Sequence, residues 1–197
     1  MDPRLAVVNT PPYGDSMTQR LNATAWTEIA LRFMADEGVE AVRVEPLARA
    51  LGVTKGSFYW HFSDRRELLE SVLAAWERSA THDVIRAVED ACEAPAERLR
   101  ELTRIVFRHG GPLDRAVRAW ATHDEGAANA IARVDSTRYD FVRRLLEEHG
   151  LVRETADRRA RLLYTALVGE QHTSLTLSRK RRVEWALANL ELLLTAP

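Results

Sequence analysis

Val44-Glu-Pro-Leu-Ala-Arg-Ala-Leu-Gly-Val-Thr-Lys-Gly-Ser-Phe-Tyr-Trp-His-Phe62 is the stretch that decides the fold of this 197-residue chain. Leu47, Ala48 and Leu51 fall at helical spacing, which gives a first short helix one apolar side. Gly52 follows, where a helix commonly ends in a left-handed residue that glycine adopts without steric cost. Thr54 stands at the capping position of a second helix, and Phe58 and Phe62 supply that helix's buried stripe. The other side carries Lys55, Ser57, Tyr59, Trp60 and His61, donors and rings aimed outward. Two short helices broken at a glycine are the layout of a helix-turn-helix, whose second helix enters a DNA major groove.

That stretch resembles the TetR family of transcriptional regulators. The family pattern is a Leu/Ile-Ala pair, a Gly, a Ser/Thr-x-Gly, an aromatic Tyr-x-His-Phe, then a basic residue and a Leu. Here it is met by Leu47-Ala48, Gly52, Thr54-Lys55-Gly56, Tyr59-Trp60-His61-Phe62, Arg65 and Leu68, with Ala30, Phe33, Gly38 and Val42 fitting upstream. Two positions depart: Arg65 stands where Lys is usual, and Arg43 where a hydroxyl residue is usual. Both keep or add positive charge. The resemblance covers roughly residues 18 to 75, and the remainder matches only in its all-helical pattern. It implies a DNA-binding regulator rather than an enzyme, most often a repressor released from its operator by a small-molecule effector.

Composition is compatible with that expectation. The chain is 46% hydrophobic and 29% charged, ordinary values for a soluble globular protein. No apolar run approaches the roughly eighteen residues needed to cross a bilayer. No basic segment followed by an apolar one marks a secretory signal, so a cytoplasmic, non-membrane protein is expected. The single Cys92 excludes an internal disulfide and a zinc site of the multiple-Cys kind. Net charge is −1, but phosphate attraction acts within about a Debye length, roughly 8 Å, so local charge is what counts. Between residues 43 and 66, five basic side chains (Arg43, Arg49, Lys55, Arg65, Arg66) face two acidic ones (Glu45, Asp64).

The pattern along the chain is all-α, with about nine helices and no strand alternation or repeat. Residues 1–15 read as a flexible arm, 16–63 as the helix-turn-helix DNA-binding domain with three helices, and 64–197 as the effector-binding and dimerisation domain. Ser16-x-x-Gln19 reads as a capping box opening the first helix, whose inner side is Leu21, Ala25, Ile29, Leu31 and Phe33. Asp64-x-x-Glu67 opens a fourth helix, and no Gly or Pro interrupts residues 63 to 94, so one continuous helix is expected to join the two domains. Pro95 starts the next helix, which Gly110-Gly111-Pro112 stops. A short helix spans Leu113 to Ala121, and a long one follows Gly126. Two more, about 154–176 and 181–195, close the chain.

Thr54, Lys55, Gly56 and Ser57 sit at the N-terminal end of the second short helix, where free backbone N–H groups favour an anion and Gly56 permits close approach. The resemblance places phosphate oxygens against the residues matching Tyr59, His61 and Arg65. Arg43 is placed to reach a base or a phosphate. Trp60 has two readings, packing on a sugar or thymine methyl or simply covering the helix. Core packing is the alternative for Tyr59 and the accepted reading for Phe62.

The resemblance further implies a small-molecule pocket in the second domain and a homodimer formed by the last two long helices. Candidate dimer residues are Leu162, Leu163, Ala166, Leu167, Trp185, Leu187, Leu190 and Leu194, each of which also reads as monomer core. One short module buries too little to hold an operator, so two-fold half-sites are expected. Candidate pocket residues are Trp76, His82, Phe107, Trp120, His123, Tyr139 and His172, again with core packing as the alternative. His82, His109, His123 and His172 lack the spacing of a metal site, and no metal or cofactor is expected. Arg179-Lys-Arg-Arg182 reads as a solvated turn. The rival classes are a helical enzyme, invited only by His123-Asp124-Glu125, and an adaptor that kept a vestigial DNA module.

Overall fold

A computed structural model describes residues 22–109, 111–173 and 177–195. The arm at 1–15, Leu21 and the capping box at Ser16–Gln19 lie outside those residues. The first described helix, α1 (Ala23–Glu37), opens instead at Asn22, whose side chain accepts from Ala25 N at 3.1 Å. Gly38 closes it, and a 3-10 turn (Val39–Ala41) leads into α2 (Val44–Leu51) and the single-turn α3 (Lys55–Phe58).

A single long helix follows. It runs without a break through α4 (Arg65–Glu77), a π turn (Arg78–His82) and α5 (Asp83–Ala91). A reciprocal cap starts it: Asp64 Oδ1 accepts from Glu67 N at 2.9 Å, and Glu67 Oε2 accepts from Ser63 N at 2.6 Å. Then come α6 (Pro95–His109), α7 (Pro112–Ala121), α8 (Glu125–Glu148), α9 (Arg153–His172) and α10 (Arg179–Leu194). With the run from α4 to α5 taken as one rod, the described residues hold nine helices and no strand. Helix α8 begins one residue before Gly126, because the Asp124 carboxylate caps it by accepting from Ala127 N at 2.8 Å. Helix α9 stops at His172, short of the expected 176, where Thr173 turns to extended backbone.

Two apolar cores hold these elements together. The first contains Trp26, Met34, Leu47, Phe58, Leu68 and Trp76, and it continues into α7 and α8 through Val117, Ala130 and Val134. The second gathers Val88, Leu99, Phe141, Leu145, Leu146 and Leu190 from α5, α6, α8 and α10. Each large side chain buried this way contributes about 1.5–3 kcal/mol. Because the first core spans α1, α4, α7 and α8, the N-terminal head is packed onto the second half rather than tethered to it.

A buried polar knot lies where the rod meets that second half. Asp114 on α7 accepts from the Trp76 indole N–H at 2.9 Å and from both terminal nitrogens of Arg138, at 2.8 and 3.2 Å. The same guanidinium donates to the Thr81 hydroxyl at 3.0 Å and the Ala80 carbonyl at 3.1 Å. A π turn disturbs the regular helical ladder, and Arg138 supplies a donor to it. Burial opposes ionisation of Asp114, but the hydrogen bonds and charge of Arg138 outweigh it and hold its pKa below the usual value. Four elements therefore meet on one carboxylate and one guanidinium.

Candidate nucleic-acid interface and apolar cavity

The turn between α2 and α3 is fixed by Gly52, which takes a left-handed conformation (φ 70°, ψ 28°). Val53 N bonds back to Ala48 O at 2.9 Å, so the chain reverses within two residues. Thr54 occupies the capping position in extended conformation, but its side chain forms no capping bond; its backbone carbonyl accepts from Ser57 N at 3.1 Å. Helix α3 is held from behind by Phe58, which is fully buried, edge-on to Trp26 at 5.3 Å and stacked on Phe62 at 5.5 Å.

That anchoring turns the remaining side chains outward. Trp60 is 86% exposed and Tyr59 64% exposed, the latter with its ring edge against Phe58 at 5.3 Å. His61 and Ser57 are half-buried, and Thr54, Gly56, Arg43 and Arg49 are exposed. Lys55 is ion-paired to Glu45 on α2, whose carboxyl is held below the usual range by that hydrogen bond and charge. Arg65 is placed differently from the rest. Its guanidinium turns inward and donates to Val42 O and Val39 O, both at 2.6 Å, pinning the start of α4 to the turn before α2.

A cavity of about 170 Å³ lies among α5, α6, α8, α9 and α10. Its walls are mainly apolar, with Ile85, Leu102, Val106, Phe107, Phe141 and Leu167 among them. Thr81 and Ala80 of the π turn border it, as do Arg138, Tyr164, Glu170 and Arg182. Tyr164 donates to Asp135 Oδ1 at 2.7 Å and accepts from Arg118 at 3.3 Å. Burial and that bond to Asp135 push its phenol up to about 12. Arg182 Nε lies 3.1 Å from Glu170 Oε1, an ion pair whose angle is too poor for a hydrogen bond.

Of the residues expected around a pocket, Phe107 lines this cavity. Tyr139 and His172 border a separate, more open groove with Asp135, Arg161 and Tyr164. Trp76 is fully buried in the polar knot, Trp120 packs against the first core, and His82 and His123 are exposed. The side chain of His109 lies outside the described residues. Among the described residues no group of three or more His, Cys, Asp or Glu side chains is placed to hold a metal. Asp124, the carboxylate beside His123 that invited an enzymatic reading, is engaged as the cap of α8. No described helix is long and apolar enough to cross a membrane.

The outer side of α9 and α10 carries Leu162, Trp185 and Leu192, 58%, 55% and 73% exposed. Ala166 is exposed as well, while Leu163, Leu167 and Leu187 are half-buried. Leu190 and Leu194 face the other way, into the second core, so they are spent inside the subunit. Leu192 escaped the sequence reading, although its seven-residue spacing from Trp185 marks the same helix face. Arg138, Tyr164 and Glu170 escaped it for another reason, and Arg182, expected in a solvated turn at 179–182, instead lies in the first turn of α10, half-buried against Glu170. The four sit on three helices and converge only in the folded chain.

The family model for bacterial regulatory proteins, tetR family, matches residues 27–72, which run from α1 into α4. The HTH-type transcriptional regulator AcrR of Shigella flexneri is 32% identical over 80 residues, 41% of this chain and 36% of that protein. The chain thus spans well under two thirds of the length of that curated relative. The likeness extends further in structure. SCO4454, a TetR-family transcriptional regulator from Streptomyces coelicolor, superposes with a TM-score of 0.75 at 19% identity, covering 87% of each chain. AibR in complex with isovaleryl coenzyme A and operator DNA superposes with a TM-score of 0.63 at 19% identity, covering 84% of this chain and 96% of that one. The head sequence at residues 27–72 is thus similar to that of the tetR family of bacterial regulatory proteins, and the fold over the rest is the fold of solved regulators of that family.

Proposed function

We propose that this protein is a homodimeric, sequence-specific DNA-binding repressor, released from its operator by a small molecule seated in the cavity. The observation that carries the reading is the head. One buried aromatic anchor, Phe58, holds a single-turn helix that follows a left-handed glycine, with Lys55 at its start and Tyr59, Trp60 and His61 in the turn just after it. Thr54 at the cap and Gly56 and Ser57 in the single turn lie beside Lys55, where the family resemblance expects contact with DNA. Arg43 flanks them from the start of α2. Arg65 belongs to the same set as a positioning residue, since its Nε and Nη2 donors are engaged on Val42 and Val39.

The exposed side of α9 and α10 supports pairing of two heads on a two-fold operator. The rod from α4 to α5 supports coupling, because its π turn borders the cavity and its first turn is tied to the segment leading into α2. A ligand favouring one rod position would trade operator affinity for its own, by reciprocal linkage. A mobility-shift assay with DNA from the protein's own promoter region tests the reading. Retardation that weakens steeply with salt and is lost in Lys55→Ala and Tyr59→Ala is expected. Failure of the unaltered protein to retard any promoter fragment at low salt overturns it.

A further inference from the structure

We infer that the cavity takes an uncharged organic molecule about the size of a substituted benzene ring, and rejects carboxylates and ammonium ions of the same shape. The inference rests on the proposed regulatory reading only in calling that molecule an effector. Size comes first. A dry, apolar protein cavity of about 150 Å³ accommodates benzene, and this one measures about 170 Å³. Phe107, Phe141 and Trp185 add aromatic faces to its aliphatic walls.

Charge decides the rest. Each ionised group on the lining already has an internal counter-ion. Arg138 is held by both oxygens of Asp114, Glu170 faces Arg182 at 3.1 Å, and the Tyr164 hydroxyl is engaged with Asp135 and Arg118. A ligand carboxylate that captured Arg138 would strand the buried Asp114, and breaking such a pair costs roughly two to three powers of ten in an equilibrium constant. A ligand cation that captured Glu170 would leave Arg182 without its partner on a lining that already carries the cationic Arg138. An uncharged ligand disturbs none of these pairs. It needs only the apolar walls, with an uncharged hydroxyl or carbonyl at the exposed side marked by Asn189.

Three compounds of one shape test this: 2-phenylethanol, phenylacetate and phenethylammonium, titrated calorimetrically into the full chain at neutral pH. The alcohol is expected to bind at least tenfold more tightly than either ion. Val106→Phe, which fills the cavity from α6, is expected to weaken it at least tenfold with helicity and melting temperature retained. Should that variant unfold, Val84→Leu, which narrows the cavity from α5, carries the same test. Equal or tighter binding of either ion, or no binding of the alcohol at millimolar concentration, overturns the inference. The same samples assayed with promoter DNA and no ligand separate the two readings. Retarded DNA with no preference for the alcohol sinks the ligand class alone, whereas a bound alcohol with no retarded DNA sinks the regulatory role.

Discussion

The guanidinium of Arg65 donates to the carbonyl of Val42 at 2.6 Å, with Val39 receiving a second bond of the same length. The family resemblance sets a phosphate-gripping cation at this position. Here those donors close the gap between the first turn of α4 and the segment entering α2, which ties the start of the rod to the helix-turn-helix.

Arg65→Gln separates the two roles. Each lost phosphate contact lowers the slope of log affinity against log salt by about 0.9. Hydrogen bonds from a charged donor contribute about 1.5–3 kcal/mol, less where water competes, and the Arg65 side chain is 39% exposed. The expected result is a melting temperature lowered by a few degrees with an unchanged salt slope. A slope reduced by a full unit with stability intact would return Arg65 to the phosphate.

Asp114 makes a second prediction, about acid. Its folded pKa is depressed, so its stabilising contribution is complete above its unfolded value of about 3.9 and is lost as pH falls through the lower folded value. Asp114→Asn removes the charge while Arg138 stays buried, at an expected cost of about 3 kcal/mol or more at neutral pH. That corresponds to a melting temperature lower by roughly 10 °C for a chain of this size. Thermal melts from pH 7 to pH 3 should show the gap between the two proteins narrowing at the acid end. A constant gap would place the stabilisation elsewhere.

On the proposed reading, Glu45 competes with DNA for Lys55, its ion-pair partner. The pair is exposed, so its strength is modest and screened by salt. Glu45→Gln is expected to raise promoter affinity roughly two- to fivefold at low salt, with the gain fading as salt increases. Fluorescence anisotropy across a salt series reads this directly, and no gain at low salt would mean that Lys55 does not meet phosphate.

The head was legible because its signals are local. Gly52, Phe58 and the aromatic run that follows are each read within a few residues of one another, and the reversal needs nothing from the rest of the chain. The long rod was legible for the same reason, as an absence of Gly and Pro. What could not be read is whatever depends on helix phase or on distant partners. Leu190 and Leu192 look alike in sequence but face opposite ways on α10. Asp114, Arg138 and Trp76 lie on three helices, and nothing local announces that they meet.

Gly52→Ala tests the turn itself. A Cβ there meets no atom within 4 Å, so the cost is conformational alone. Left-handed backbone disfavours a side chain by roughly 1–2 kcal/mol, and a melting temperature a few degrees lower is expected. Helical content should remain, since α2 and α3 are held by Leu47 and Phe58 from within the first core. An unchanged melting temperature would show that the turn relaxes away from φ 70° at no cost.

The outward side of α9 and α10 carries the last prediction. Leu162 and Leu192 are exposed in the single chain, so Leu162→Glu and Leu192→Glu should leave its fold and helicity intact. In a dimer built on this side, either change buries a carboxylate against an apolar surface, a cost that few interfaces absorb. Sedimentation at micromolar concentration should therefore show a dimer for the unaltered protein and a monomer for the double variant. Promoter retardation should fall with it, since a lone head buries too little surface to hold a site. Leu190→Ala is the contrasting control: fully buried in the second core, it should lower stability by about 2–5 kcal/mol through a cavity inside the subunit. A double variant that still sediments as a dimer would move the interface away from these two helices.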